Sequence, residues 1–150
     1  MHKRSSIQSR QKKQKRSVDQ NPRRQSTRIN IYHAAGRRLS ARKDVIRQLI
    51  RKALRSEGKQ LAAVNIIIAD DSYLRGLNER FFRKKRRTNV ISFDLDEVSE
   101  IYVSQDRARD AYDIYYYILH GLLHLAGYDH RNVTERTRMH QRCLEHLENE

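Results

Sequence analysis

Residues 120–130, His120-Gly-Leu-Leu-His124-Leu-Ala-Gly127-Tyr-Asp-His130, constrain this chain more than any other stretch. His120 and His124 are four apart, so on a helix they lie one above the other on a single face, where two neutral imidazole nitrogens can reach one divalent cation. Gly127 is the residue best able to take the left-handed backbone that ends a helix, and a reversal there swings His130 back toward the same ion. Three protein ligands leave a fourth position for water, the arrangement of a catalytic rather than a structural zinc, in which the metal brings the water's pKa toward ~7. The other histidines, His2, His33, His140 and His146, read as surface or hydrogen-bonded side chains. His140 and His146 are six apart on an apparent surface helix and share no face. A fourth protein ligand, from His140 or an acidic residue, would instead mark a structural zinc in a non-catalytic module.

The spacing matches the long zinc-protease signature His-Glu-x-x-His-x-x-Gly-x-x-His, except that Gly121 stands where that signature has glutamate. That glutamate takes the proton from water and passes it to the leaving amine, so its loss argues against a metalloprotease-like hydrolase. A phosphodiester suits the remaining chemistry better, and in RNA the 2′-hydroxyl is a second available nucleophile.

Charge points the same way. The chain has 150 residues and a formal net charge of +14, of which residues 1–28 carry +9 through ten Lys or Arg against Asp19 alone. With Ile7 and Val18 as its only sizeable apolar side chains, this segment is expected to be a disordered basic tail that contacts nucleic-acid phosphates, followed by a single domain over 29–150. No apolar run approaches membrane-spanning length and no signal-peptide core follows the basic start, which predicts a soluble, cytoplasmic protein without a membrane partner. Cys143 is the single cysteine, so an internal disulfide or a thiolate-rich metal cluster is excluded.

Periodicity predicts strands at 29–32, 62–69, 89–95 and 100–104, the second a buried central strand because of its β-branched run Ile66-Ile67-Ile68. Helices are predicted at 40–55 with Ser40 as N-cap, 72–82, 106–126 and 134–147. Tyr112, Tyr115, Tyr116 and Tyr117 on the third helix are imaginable as base-stacking groups, but core or groove packing is the simpler role. Four strands with four to five helices, neither alternating nor segregated, indicate an α+β fold covered mainly on one side, with the metal site at the end of a long central helix. Arg83 to Arg87, five consecutive cations, are either a solvated loop or a phosphate-positioning loop. They approach the metal only if the strand that follows neighbours the long helix.

These residues carry a family resemblance. His120 to His130 is similar nearly letter for letter to the signature of the YbeY family of metal-dependent ribosomal RNA maturation endoribonucleases. Leu77-Asn78 followed by Thr88-Asn89-Val90-Ile91-Ser92-Phe93 resembles that family's second motif, and the match spans roughly residues 61–147. The resemblance implies a small mixed sheet and one zinc ion per chain on His120, His124 and His130. It further implies single-strand-specific cleavage of RNA in 16S ribosomal RNA 3′-end maturation and ribosome quality control, with small-subunit rRNA, the ribosome or a pre-30S particle, and ribosomal proteins as partners. A catalytic arginine is implied ahead of the Thr-Asn-Val strand; an ungapped count places Phe82 there and Arg83 one residue later. Arg87 replaces the usual proline, and Ser99-Glu100 replaces Gly-Asp. Asp129 is read either as a group that orients a ligand imidazole or as a turn-stabilising carboxylate.

Overall fold

Val64 and the run Ile66-Ile67-Ile68 belong to a strand with apolar cover on both faces, and the rest of the fold is organised around it. A computed structural model describes residues 26–34, 41–83 and 88–148. The basic segment 1–25, Ser40 and residues 84–87 lie outside the described residues. The elements are β1 (Arg28–His33), α1 (Lys43–Ser56), β2 (Ala63–Ala69), α2 (Asp71–Phe82), β3 (Val90–Leu95), β4 (Val98–Ser104), α3 (Ala111–Leu125) and α4 (Val133–Glu148). The four strands form one mixed sheet in the order β1-β2-β4-β3, parallel except for β3 against β4. The chain is therefore α+β, as expected.

Because successive strand residues point to opposite faces, β2 divides its side chains between two cores. Val64, Ile66 and Ile68 join the larger core with Ile46, Leu49 and Ile50 of α1, Ile114, Ile118 and Leu122 of α3, and Met139 and Cys143 of α4. Ile67 and Ala69 face the other way, with Leu74 of α2 and Ile91 of β3. Three helices thus cover one face and one helix the other. Each fully buried Ile or Leu here contributes roughly 1.5–3 kcal/mol of transfer free energy. Cys143 is completely buried and free, which pushes its thiol up to about 12.

Several boundaries differ from the sequence expectation for identifiable reasons. α1 begins at Lys43 after the N-cap Arg42, whose backbone N–H donates to the Tyr115 hydroxyl at 2.9 Å. β4 starts at Val98, because β3 and β4 form a hairpin in which Leu95 pairs with Val98 and Asp96 takes a left-handed φ of 55°. α3 begins at Ala111 rather than near 106, since Asp110 caps it by accepting from Asp113 N–H at 3.1 Å. Asp106 serves another helix, accepting from the Asp71 N–H at 2.8 Å at the start of α2.

His146 is also a correction. It is buried rather than on the surface, and its Nε2 lies 2.8 Å from Glu57 Oε1. Arg142 Nε (2.6 Å) and the Tyr128 hydroxyl (2.9 Å) donate to the same carboxylate. Burial works to raise the Glu57 carboxyl, but the bonds from His146, Arg142 and Tyr128 outweigh it and hold it below its ordinary value.

Candidate metal centre

Local structure around the histidines follows step by step from the sequence. α3 carries His120 and His124 on adjacent turns, and the helix ends at Ala126. Gly127 then takes φ +103°, its N–H bonding to the His124 carbonyl at 3.0 Å while the Tyr128 N–H bonds to the Leu123 carbonyl at 2.9 Å. This pair of bonds is a Schellman motif, in which a left-handed glycine satisfies the last carbonyls and reverses the chain. The reversed chain is pinned at its far side by Asn132, whose Oδ1 accepts from the Glu135 N–H at 2.9 Å to open α4. His130 is thereby returned to the end of α3.

The result is three imidazoles whose ligand atoms all lie within 4.8 Å of one another. Ring centroids are 4.9 Å apart for His120 and His124, 4.6 Å for His124 and His130, and 5.6 Å for His120 and His130. His120 Nε2 and His124 Nε2 are 3.2 Å apart. Two nitrogens bound to one tetrahedral zinc at ~2.0–2.1 Å would stand roughly 3.3 Å from each other, so this pair already has ligand spacing. His130, exposed on the turn, is the ring with room to adjust. The Tyr128 carbonyl lies 3.0 Å from His124 Nδ1. A carbonyl only accepts, so Nδ1 carries the proton and Nε2 presents its lone pair inward.

Electrostatics prepare the rings for a cation. Burial, with the nearby His124, His130 and His140 rings, pulls His120 down to about 4. His124 is lowered by burial and by His130, against the opposing pull of the Tyr128 carbonyl and Asp129. Both rings are therefore neutral near pH 7, the form that binds metal. The group of His120, His124 and His130 can hold a metal ion, and no fourth His, Cys, Asp or Glu joins it among the described residues. His140 instead shares a hydrogen bond with the Tyr116 hydroxyl through Nδ1.

Asp129 does not bond to an imidazole. Its Oδ1 accepts from the His130 backbone N–H at 2.8 Å and its Oδ2 from Arg131 Nε at 2.5 Å, and these two bonds, in that order, hold its carboxyl below the ordinary value. Of the two readings of Asp129 the geometry is that of the turn-stabilising one, while the ligand ring is oriented by the neighbouring backbone carbonyl of Tyr128. Sequence reasoning missed that carbonyl; its signal was the position of Tyr128, second after the helix cap, where the Schellman bond fixes its peptide.

Gly121 has a packing reason that its absent acid/base chemistry did not reveal. A Cβ there would stand 2.7 Å from Ile101 Cγ2, 2.8 Å from Ser92 Oγ and 3.0 Å from Val90 Cγ2. Ser92 Oγ also donates to the Gly121 carbonyl at 2.9 Å. The glycine lets α3 press onto β3 and β4 and faces the sheet, so a glutamate here would meet the core rather than the histidines. The strand after the cationic run is therefore the neighbour of the histidine helix. Within that run Arg83 is the one described residue: it ends α2 with a left-handed φ of 53° and donates its N–H to the Asn78 carbonyl. Just before it, Phe81 and Phe82 pack on Phe93 of β3 at ring distances of 5.4 and 5.8 Å.

Comparison with known proteins agrees with this geometry. Residues 32–149 match the family model described as Endoribonuclease YbeY. A protein of that name from Endomicrobium trichonymphae is 35% identical over 98 residues, covering 57% of this chain and 70% of its own length. One from Salinibacter ruber is 28% identical over 124 residues, covering 68% and 79%. A solution structure of a Thermotoga maritima protein superposes with a TM-score of 0.54 at 25% identity, over 80% of this chain and 87% of that one. No helix among the described residues is long and apolar enough to cross a membrane. With its histidine triad and its match over nearly all of the folded part, the chain belongs to the YbeY endoribonuclease family.

Proposed function

We propose that this protein is a zinc-dependent endoribonuclease that cuts single-stranded RNA, with one ion per chain held by His120, His124 and His130. The observation that carries the reading is the 3.2 Å approach of His120 Nε2 to His124 Nε2, both rings neutral and one fixed in tautomer by the Tyr128 carbonyl, in a member of this family. When bound, such an ion supplies Lewis acidity for a phosphodiester and makes water a competent nucleophile near neutral pH. The chain's own residues fix the donor geometry, add no fourth His, Cys, Asp or Glu to the group among the described residues, and set the Tyr116 ring 6.4 Å from that of His120. In this reading Arg83 and the cations after it hold RNA phosphates, and the basic segment 1–28 adds salt-sensitive affinity to a single catalytic domain over 29–150. Maturation of the 16S rRNA 3′ end and ribosome quality control in the cytoplasm, on a ribosome or pre-30S particle, is the cellular role that the family resemblance implies.

A labelled single-stranded fragment of small-subunit rRNA provides the test. The purified protein should cut it, chelator should stop the cutting, zinc should restore it, and His124→Ala should leave the RNA intact. Equal cutting by His124→Ala and wild type would overturn the assignment.

A further inference from the structure

Tyr112, Tyr116, His120 and His124 are spaced by four along α3, so they form one continuous row on its surface that ends in the metal triad. Tyr116 and His120 have ring centroids 6.4 Å apart, and Tyr116 lies 5.6 Å from His140 on α4. Beyond Tyr116 the row opens into a cleft of about 450 Å³ between α3, α4 and the segment before α3. Arg107, Arg109, Tyr112, Tyr116 and His140 line it. Tyr112 is 49% exposed there, whereas Tyr115, Tyr116 and Tyr117 pack partly against the core. Tyr112 thus offers an aromatic surface to solvent within the cleft. Asp113 also lines the cleft and is engaged by Arg109 through bonds of 3.0 and 3.3 Å, while Arg107 Nε lies 3.5 Å from Asp71 Oδ1, so both arginines are paired with carboxylates.

We infer that Tyr112 and Tyr116 form a stacking platform for bases of single-stranded RNA next to the bond being cut. The inference rests on the proposed RNA-cleaving activity and adds where the strand lies. Two arguments favour RNA over a protein partner. The platform is continuous with the triad, so a strand whose phosphodiester sits at the histidines has its neighbouring nucleotides over these rings. The spacing of the row also selects the form of the nucleic acid: a helix rises 1.5 Å per residue, so rungs four residues apart are ~6 Å apart along the axis. Bases in a duplex are ~3.4 Å apart along each strand. One base per rung therefore demands an extended, unstacked strand, which a single strand can supply and a duplex cannot.

The test is equilibrium binding, read by fluorescence anisotropy in chelator so that nothing is cut. The probes are a short labelled oligouridylate, the same backbone without bases, and a duplex. Tyr112→Ala should weaken oligouridylate binding about five- to a hundredfold, the range for losing one stacked base. Tyr112→Phe should bind like wild type, because the ring remains, and so should Tyr32→Ala, which removes an exposed tyrosine elsewhere. Binding of the abasic strand and of the duplex should not depend on Tyr112. Unchanged oligouridylate affinity in Tyr112→Ala overturns the platform and returns the face to a protein partner; an equal loss on the abasic strand overturns it too, because the ring then acts on the backbone. Cleavage that fails with metal-loaded wild type while this pattern holds strikes the activity and not the platform, whereas wild type that binds no RNA removes both.

Discussion

Two polar clusters sit at opposite ends of the Tyr128 residue, and they are built on opposite principles. Around Glu57, a carboxylate meets Arg142, His146 and the Tyr128 hydroxyl, so each buried group finds a partner of complementary chemistry within the protein. Around the Tyr128 carbonyl, three imidazoles converge with no carboxylate bonded to any of them among the described residues, and burial together with their mutual proximity keeps His120 and His124 uncharged. The first cluster is complete and its product is stability. The second has room in its chemistry for a cation, and such unpaired donors distinguish a candidate site from a scaffold.

Removing a member of each cluster should separate them most sharply. His124→Ala should weaken zinc binding more than a hundredfold, beyond the 10–100-fold typical of residues that only support ligands, while the fold remains; titration calorimetry measures it. Glu57→Ala should do the reverse, lowering unfolding free energy by about 3 kcal/mol in urea denaturation by leaving the buried His146 without its carboxylate and Arg142 with that of Glu145 alone, while zinc affinity in the folded protein falls tenfold at most. If Glu57→Ala damages metal binding as badly as His124→Ala does, the two clusters are one.

Smaller effects sharpen the boundary. Gly121→Ala should destabilise by about 2 kcal/mol, read from the melting temperature, because its methyl would meet Ile101 and Ser92 in a packed layer. Acid should act through Glu57: its folded-state value lies below the ordinary 4.5, so the stability it adds is fully present above 4.5 and is lost as pH falls through the depressed folded value. Denaturation of wild type and Glu57→Gln across that window should therefore show the gap between them closing as acid is added. Tyr128→Phe should be mildest, about 1 kcal/mol for one hydrogen bond, with zinc affinity retained because the carbonyl that orients His124 belongs to the backbone.

The same comparison explains what could be read from sequence. The triad occupies residues 120–130, and helix periodicity with one glycine is enough to foresee its convergence. The Glu57 network joins residues 71, 85 and 89 positions apart, so nothing local distinguished His146 from a surface histidine. Gly121 is a similar case: its missing carboxylate was legible, but the reason a side chain is excluded lies on β3 and β4. The β3–β4 turn went unseen because Asp96-Glu97 lacks the glycine or asparagine that usually announces a tight hairpin. The start of α3 was placed too early because Ala108 continues the apolar rhythm, although it is buried from a loop and the cap is Asp110.

Calorimetric titration of the metal-free chain with zinc bears most directly on the central claim that three imidazoles form a site lacking only its cation. The account predicts one ion per chain, bound tightly near neutral pH and more than a hundredfold more weakly once His120, His124 or His130 is replaced by alanine. Binding that survives any one of those replacements unchanged, or no binding by the wild type, would contradict it.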